Sequence, residues 1–280
     1  TVTGVNDSVR DRHQPYRISL SAADQFSNNP EVTTLAGSGS AGSSNGTGTA
    51  AQFKDPNAAT IVDGNLYVAD STNDKIRKIV ISTGVVTNFA GSGSGGSTDA
   101  TGTAAKFDFP TGITSDGTNL YVADNANHTI RKIVISTGVV TTLAGSAGSY
   151  GSTDGTGTSA RFRNPYGLST DGTNLYVSDS TNNRIRKIVI STGVVTTLAG
   201  STSSGSADGT GTSARFNKPR NISTDGTNLY VADNGNHKIR KIVISTGAVT
   251  TIAGSGSSGF QDGVGTSAKF NKPHGIIKVG

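Results

Sequence analysis

The 280-residue chain contains no cysteine, methionine or tryptophan. The missing cysteine excludes disulfides, thiol nucleophiles and thiolate metal ligands. Its only glutamate is Glu31, so a pair of catalytic carboxylates would have to be built from aspartates. No apolar run reaches the roughly 18 residues that a transmembrane helix needs. No secretory signal or lipidation motif is visible, and because residue 1 is a threonine we expect a processed chain or a fragment.

Charged residues make up only 15% of the chain and aromatic residues 6%, while glycine contributes 38 residues. Such a composition by itself favours disorder, but the net charge of +5 is mild and the regular spacing described below decides against it. A cysteine-free chain rich in Ser, Thr and Gly is typical of bacterial secreted or surface proteins. We therefore expect an extracellular or periplasmic location.

The sequence repeats with a period of about 54 residues. The dipeptide Ala-Gly recurs from Ala36 onward, and a proline recurs in the same phase, at Pro56, Pro110, Pro165, Pro219 and Pro273. We place the repeats at about 31–84, 85–138, 139–193, 194–247 and, in part, 248–280. They follow a divergent segment, 1–30, and we expect residues 1–280 to form a single domain.

One repeat is predicted to form four short strands, at residues 112–115, 120–123, 130–135 and 139–144. An Asp-Gly-Thr-Asn turn separates the first two, and the strands are rich in β-branched residues. No segment has a sustained helical period. Four-stranded units at this spacing predict the blades of an all-β propeller, because packing the sheets radially buries both faces of each one.

Each unit also resembles an NHL repeat. The motif NLYVADNANHTIRKI at 119–133 has copies at 65–79, 174–188 and 228–242. The family's Asn-His pair stands in two copies and is changed in the other two: Asn127-His128 and Asn236-His237, against Asn73-Asp74 and Asn182-Asn183. Ile replaces the family's Leu, and residues 259–276 resemble the bacterial long-repeat version. The resemblance covers residues 31–280 and implies a β-propeller, but it leaves the function open because the fold hosts binding modules and enzymes.

The repeats predict five blades, with six blades or an incomplete ring as the alternative. Residues 32–36 form an orphan fourth strand and residues 275–279 an orphan first strand. We expect the two ends of the chain to share the closing blade. Residues 16–20 are the candidate third strand of that blade, and residues 2–5 are a weaker candidate second strand.

Two positions that recur once per unit are interpreted as structural. The aspartate that ends the second strand is expected to accept N–H groups of its own loop, as in an Asx-turn. The arginine of the third strand is expected to pair with loop aspartates. These positions are Asp70, Asp124, Asp179 and Asp233, and Arg77, Arg131, Arg186 and Arg240.

Metal ligands are sparse in the predicted loops. Each inter-blade loop supplies one oxygen-bearing side chain at a matching site, at Asn45, Asp99, Asp154, Asp208 and Asp262, which is too few for a calcium site. The histidines are His13, His128, His237 and His274, and of these only His274 is expected near the central axis. We therefore expect no metal and no cofactor, and interpret the loop histidines as hydrogen-bonding residues.

One position differs in every unit. The residue after each proline is Asn57, Thr111, Tyr166, Arg220 or His274. Each begins an innermost strand, so we expect these five side chains to surround the mouth of the central channel on the loop-rich face. Together they offer an aromatic face, a fork of donors and a titratable group, which suit an anionic or sugar-like ligand. Tyr150 and Phe260, on the overlying loops, are candidates for a lid.

We interpret the chain as a non-catalytic extracellular binding or scaffold propeller that recognises a protein or a small glycan-like ligand through its loop-rich face. The alternative is a metal-dependent propeller lyase or hydrolase with an axial site. A second alternative is an RNA- or polyanion-binding domain, since some NHL domains bind RNA. The absence of a Ser-His-Asp order or a nucleophile elbow favours binding over catalysis. We expect a protein or glycan partner, no nucleic acid and no membrane span; the oligomeric state stays open.

Overall fold

The computed structural model describes residues 32–277. Within them the chain forms four successive antiparallel sheets. The first consists of β1 (Gly46–Thr47), β2 (Pro56–Val62), β3 (Asn65–Asp70), β4 (Lys75–Val80) and β5 (Val85–Ala90). The second consists of β6 (Ala100–Thr101), β7 (Pro110–Ser115), β8 (Asn119–Asp124), β9 (Thr129–Val134) and β10 (Val139–Ala144).

The third and fourth sheets repeat the same pattern. The third consists of β11 (Gly155–Thr156), β12 (Pro165–Thr170), β13 (Asn174–Asp179), β14 (Arg184–Val189) and β15 (Val194–Gly200). The fourth consists of β16 (Gly209–Thr210), β17 (Pro219–Thr224), β18 (Asn228–Asp233), β19 (Lys238–Val243) and β20 (Ala248–Ala253). Single 3₁₀ turns lie at Gly48–Ala50, Ser71–Asn73, Gly102–Ala104, Gly157–Ser159, Ser180–Asn182, Gly211–Ser213, Asn234–Asn236 and Gly265–Ser267.

Each sheet is a four-stranded meander with a two-residue strand added at its outer edge. In the second sheet the strand order is β6-β10-β9-β8-β7, with β7 innermost. The extra strand comes from the Gly/Thr-rich loop between blades. An aspartate of that loop extends the cover, because Asp99 Oδ2 accepts the N–H of Thr142 in β10 at 3.0 Å. The expected all-β propeller with four-stranded blades is confirmed.

Both faces of each sheet are buried because alternate residues of a strand point to opposite neighbours. On β8, Leu120 and Val122 pack with Tyr67 and Ala69 of the first blade. The intervening Tyr121 and Ala123 pack with the third blade. The hydrophobic core is therefore a series of similar clusters rather than one central mass, and three of these clusters lie between successive blades.

The innermost strands pack side by side around the central axis, β2 beside β7, β7 beside β12 and β12 beside β17. Two glycines make this approach possible. A Cβ on Gly112 would collide with the carbonyl oxygen of Tyr166, and a Cβ on Gly167 would lie 2.5 Å from the carbonyl oxygen of Arg220. These contacts are to backbone, which cannot move aside as a side chain can.

The blade count differs from the expectation. Four complete blades are present between residues 32 and 277, rather than five or six. Residues 32–36 and 275–277 are not in strands, because a strand needs a hydrogen-bonded neighbour. The candidate neighbours, residues 2–5 and 16–20, lie outside the described residues. The C-terminal segment does reach the channel, since Asn221 N donates to His274 O at 3.3 Å.

No helix between residues 32 and 277 is long and apolar enough to cross a membrane.

Candidate functional site

A buried arginine–aspartate pair joins the second and third strands of every complete blade. In the second blade Arg131 Nη1 lies 2.8 Å from Asp124 Oδ2, and both side chains are fully buried. Asp124 also accepts the N–H of Asp108 and a hydrogen bond from the Asn127 amide. The same pairs recur at Arg77–Asp70, Arg186–Asp179 and Arg240–Asp233.

The same arginine also contacts the loop between blades. Arg131 Nη2 lies 2.6 Å from Asp99 Oδ1, and its guanidinium carbon lies 5.1 Å from the centre of the Phe107 ring. Arg186 makes the corresponding contacts with Asp154 and Phe162. In the first blade Asn45 takes the place of the loop aspartate. Each of these arginines is thus paired through its two Nη atoms inside its own blade, while its Nε is buried without a hydrogen-bond partner among the described residues.

The second residue of the Asn-His pair binds the next blade. Each of the four residues at this position has a left-handed backbone and accepts a hydrogen bond from the N–H of the residue before the next proline. The pairs, donor first, are Phe109 to Asp74, Asn164 to His128, Lys218 to Asn183 and Lys272 to His237, at 2.8–3.2 Å. We call Asp74, His128, Asn183 and His237 the inter-blade acceptors.

Three of the five residues that follow the prolines meet across the channel. Tyr166 Oη donates to Asn57 Oδ1 at 2.8 Å and lies 2.8 Å from His274 Nε2. The rings of Tyr166 and His274 meet edge to face with their centres 5.2 Å apart. Residues from the first, third and last repeats are therefore connected by one hydroxyl. We call these three side chains the crossbar.

Arg220 lies on the crossbar. Its guanidinium carbon is 4.1 Å from the centre of the Tyr166 ring, which is a cation–π contact. Tyr166 is only 6% exposed, so its ring face is covered and is not an open stacking surface. Arg220 itself is half-buried, and its Nε is buried without a hydrogen-bond partner among the described residues.

His274 is held neutral at physiological pH. Removal of the imidazole from water lowers its pKa to about 4, and the nearby charge of Arg220 acts in the same direction. The residue as a whole is exposed, but its Nε2 is enclosed where it meets Tyr166. A neutral imidazole leaves Arg220 as the permanent positive charge at this point of the channel.

The other predicted site residues lie differently. Thr111 is fully buried, and its hydroxyl donates to the Tyr166 carbonyl at 3.1 Å, so it supports backbone instead of facing the mouth. Tyr150 is 62% exposed and packs against His128 and Arg163. Phe260 is 76% exposed. The ring of Tyr150 thus contacts His128 and Arg163 rather than the crossbar.

A cavity of about 270 Å³ adjoins the crossbar along the axis. Its walls are the innermost strands, and the hydroxyl-bearing Thr60, Thr114, Ser169 and Ser223 contribute to its lining. These four residues were not among the predicted site residues, although each stands four positions after a recurring proline. Within residues 32–277 no group of three or more His, Cys, Asp or Glu is arranged to hold a metal ion. His13 lies outside the described residues.

The chain is similar in sequence to NHL repeat-containing proteins. No protein-family model matches it. It is 28% identical over 285 residues to NHL repeat-containing protein 2 of Bos taurus, covering 89% of this chain and 39% of that protein. It is 29% identical over 228 residues to Protein SUPPRESSOR OF QUENCHING 1, chloroplastic, of Arabidopsis thaliana, covering 75% of this chain and 22% of that protein. The chain thus spans less than half the length of either relative.

A solved structure shares the fold. An auxiliary nutrient binding protein from Bacteroides thetaiotaomicron matches with a TM-score of 0.60 and 18% sequence identity. The match covers 81% of this chain and 55% of that protein. At this identity the likeness supports the architecture alone.

Proposed function

Because the chain is an NHL-repeat β-propeller, we propose that it is a non-catalytic binding protein that holds a small ligand at the channel mouth of its loop-rich face. The observation that carries this proposal is the crossbar with Arg220 upon it. Polar groups from repeats far apart in sequence converge there in one hydrogen-bonded arrangement. Convergent polar groups beside a cavity are typical of small-molecule sites.

Internal comparison of the repeats supports the same position. The buried arginine–aspartate pair is identical in all four complete blades, and the inter-blade acceptors always supply an acceptor atom. The residue after the proline instead changes in every repeat. A purely structural position would follow the first pattern. Variation at a position beside the axis is what recognition of an asymmetric ligand requires.

The setting is proposed on separate grounds. The structural relative from Bacteroides thetaiotaomicron is described as a nutrient binding protein. Together with the cysteine-free, Gly/Ser/Thr-rich composition, this supports a bacterial secreted or surface protein that works outside the cell or in the periplasm. In such a setting the ligand is a small nutrient or glycan-like molecule, and the loop-rich face also remains available to a protein partner.

We further propose that a fifth blade closes the ring. Ile61 on β2 is 51% exposed and Ile277 is 74% exposed, which leaves apolar side chains uncovered on the first innermost strand and in the C-terminal segment. Residues 1–31 are long enough to supply the missing strands. Deletion of residues 273–280 should abolish cooperative thermal unfolding, because it would remove one wall of the channel. A truncated chain that melts like the full chain would contradict closure through the ends.

The binding proposal is tested with a ligand screen and two histidine variants. A library of sugars, organic acids and amino acids is screened by thermal shift, and hits are measured by calorimetry. His274→Asn should weaken binding by about tenfold or more, as expected for loss of a buried hydrogen-bonding group. His237→Asn is the matched control, because it makes the same change at an inter-blade acceptor and should leave affinity unchanged. Equal affinities in two folded variants would place the site elsewhere.

A further inference from the structure

We infer that the ligand carries a carboxylate and that Arg220 receives it, an inference that rests on the proposed function of the channel mouth. Arg220 differs from the four fully buried arginines, each of which has a carboxylate partner. Half-buried Arg161, Arg184 and Arg215 also lack a carboxylate partner, but each donates to a backbone carbonyl. Arg131 and Arg186 each meet two aspartates. Arg220 forms no ion pair within residues 32–277. A charge that is partly removed from water without a counter-ion is destabilising, and an incoming anion removes that cost.

The stacking of Arg220 on Tyr166 orients the guanidinium before any ligand arrives. At 4.1 Å the ring attracts the cation and limits the tilt of the guanidinium plane. Tyr166 is in turn fixed by its bonds to Asn57 and His274. A planar fork held in this way matches the two oxygens of a carboxylate, and little side-chain freedom is lost on binding.

Charged side chains near the channel mouth favour an anion on the side where Arg220 lies. Arg163, Lys218 and Lys272 lie within two residues before their prolines, on the third, fourth and last repeats, and all three are exposed. On the first repeat the matching stretch carries both Lys54 and Asp55, and on the second repeat it carries Asp108. The mouth is therefore positive on the side of Arg220, while the stretch of the first repeat is neutral and that of the second is negative. Such a field raises the local concentration of anions and orients them as they approach.

The same geometry disfavours a neutral sugar. Sugars are commonly held by stacking on an exposed aromatic face, and the face of Tyr166 is covered by Arg220. The central charge is single, because His274 is neutral at physiological pH. One fixed positive charge matches one carboxylate better than a phosphate dianion. Phosphate shares enough of the chemistry to be a separate arm of the test.

The experiment measures binding of galacturonate, glucuronate, N-acetylneuraminate, citrate and succinate, each beside its methyl ester, and of inorganic phosphate. At least one free acid should bind about tenfold or more tightly than its ester, as expected for charge-assisted hydrogen bonds. Arg220→Gln should remove that difference, and Arg220→Lys should retain part of it. Arg215→Gln is the matched control. It removes one charge from the same repeat, where the guanidinium binds only backbone carbonyls, and should change nothing.

Each result has a distinct meaning. If no free acid binds more tightly than its ester, or if Arg220→Gln leaves the preference intact, the carboxylate inference is wrong. Preferred binding of phosphate would also overturn it. In both cases a neutral ligand whose affinity falls in His274→Asn would leave the proposed function standing. Absence of any ligand sensitive to His274→Asn would overturn the function and the inference together.

Discussion

His128 Nδ1 accepts a hydrogen bond from the backbone N–H of Asn164 at 3.2 Å. An imidazole of the second blade thus binds the chain just before the first strand of the third blade. The bond requires Nδ1 to be unprotonated, so the ring is neutral with its proton on Nε2. Asn183 makes the equivalent bond at the next interface through its side-chain oxygen. The histidine is therefore used here as an acceptor, which an amide or a carboxylate can replace.

This relationship predicts a pH dependence of stability. Burial, the largest influence, lowers the pKa of His128 below its ordinary value of 6.5; Arg163 lowers it too, while the Asn125 bond and Asp108 raise it. The unfolded chain then binds a proton at a higher pH than the folded chain does. The stabilisation is complete above about pH 6.5 and is lost as the pH falls through the lower folded value.

The check is His128→Asn, which keeps an acceptor that does not titrate and leaves the facing Tyr150, Arg163 and Asp108 unchanged. Denaturant unfolding of both proteins between pH 4 and pH 8 should show the parent losing more stability than the variant at the acid end. Parallel stability curves across this range would show that the bond does not depend on the charge state of His128.

The glycines of the innermost strands predict a sharp contrast between two substitutions. Gly167→Ala should cost about 1–3 kcal/mol or more, because the new Cβ would meet the backbone of the fourth blade. Gly275→Ala is the matched control. It stands two residues after its own proline, as Gly167 does, and a Cβ there meets no described atom within 4 Å. Thermal unfolding of the two variants should differ clearly, and equal melting temperatures would contradict the close approach of the strands.

The buried ion pairs predict unequal effects for two aspartates that share one arginine. Asp124→Asn should cost about 3–5 kcal/mol, because it leaves the buried charge of Arg131 without its enclosed partner. Asp99→Asn should cost about 1 kcal/mol or less, since the side chain of Asp99 is 47% exposed and water screens its charge. Chemical denaturation of both variants measures the difference. Similar losses would mean that burial does not set the strength of these pairs.

His274 should titrate far below a normal histidine. An NMR titration is expected to place its pKa at about 4, and Arg220→Gln should raise that value by removing a neighbouring positive charge. Neutral His274 contributes stability that is fully present above about pH 6.5 and lost as the pH falls through about 4. Arg215→Gln should leave the titration unchanged. If the pKa of His274 is the same in Arg220→Gln as in the parent protein, Arg220 does not face the imidazole.

The blades could be predicted from sequence because each strand carries its own signal. The third strand of the second unit was expected at residues 130–135 and is found at Thr129–Val134. The first strand begins two residues before its predicted start, at Pro110, because the proline pairs with Asp124 ahead of a bulge. The short edge strands were missed, since two residues in a Gly/Thr-rich loop have no periodicity to detect.

The channel mouth could be predicted only in part. Counting from the prolines was enough to place Asn57, Tyr166 and His274 near the axis. It could not show that Arg220 covers the Tyr166 ring, or that Thr111 turns to a carbonyl. Both contacts join different repeats and depend on how closely the innermost strands approach, and a single repeat carries no signal for that distance.

The short outer strands bear on how such an array can grow. In each complete blade a two-residue strand pairs with the outermost long strand. In three of these blades a loop aspartate also accepts an N–H group of that outermost strand. Unpaired edges otherwise invite another molecule to add a strand. Since each blade, such as residues 100–144, contains the short strand that covers its own outer edge, a duplicated blade would bring its protection with it. A gain or loss of units would then leave the circumference closed to fibre-like association.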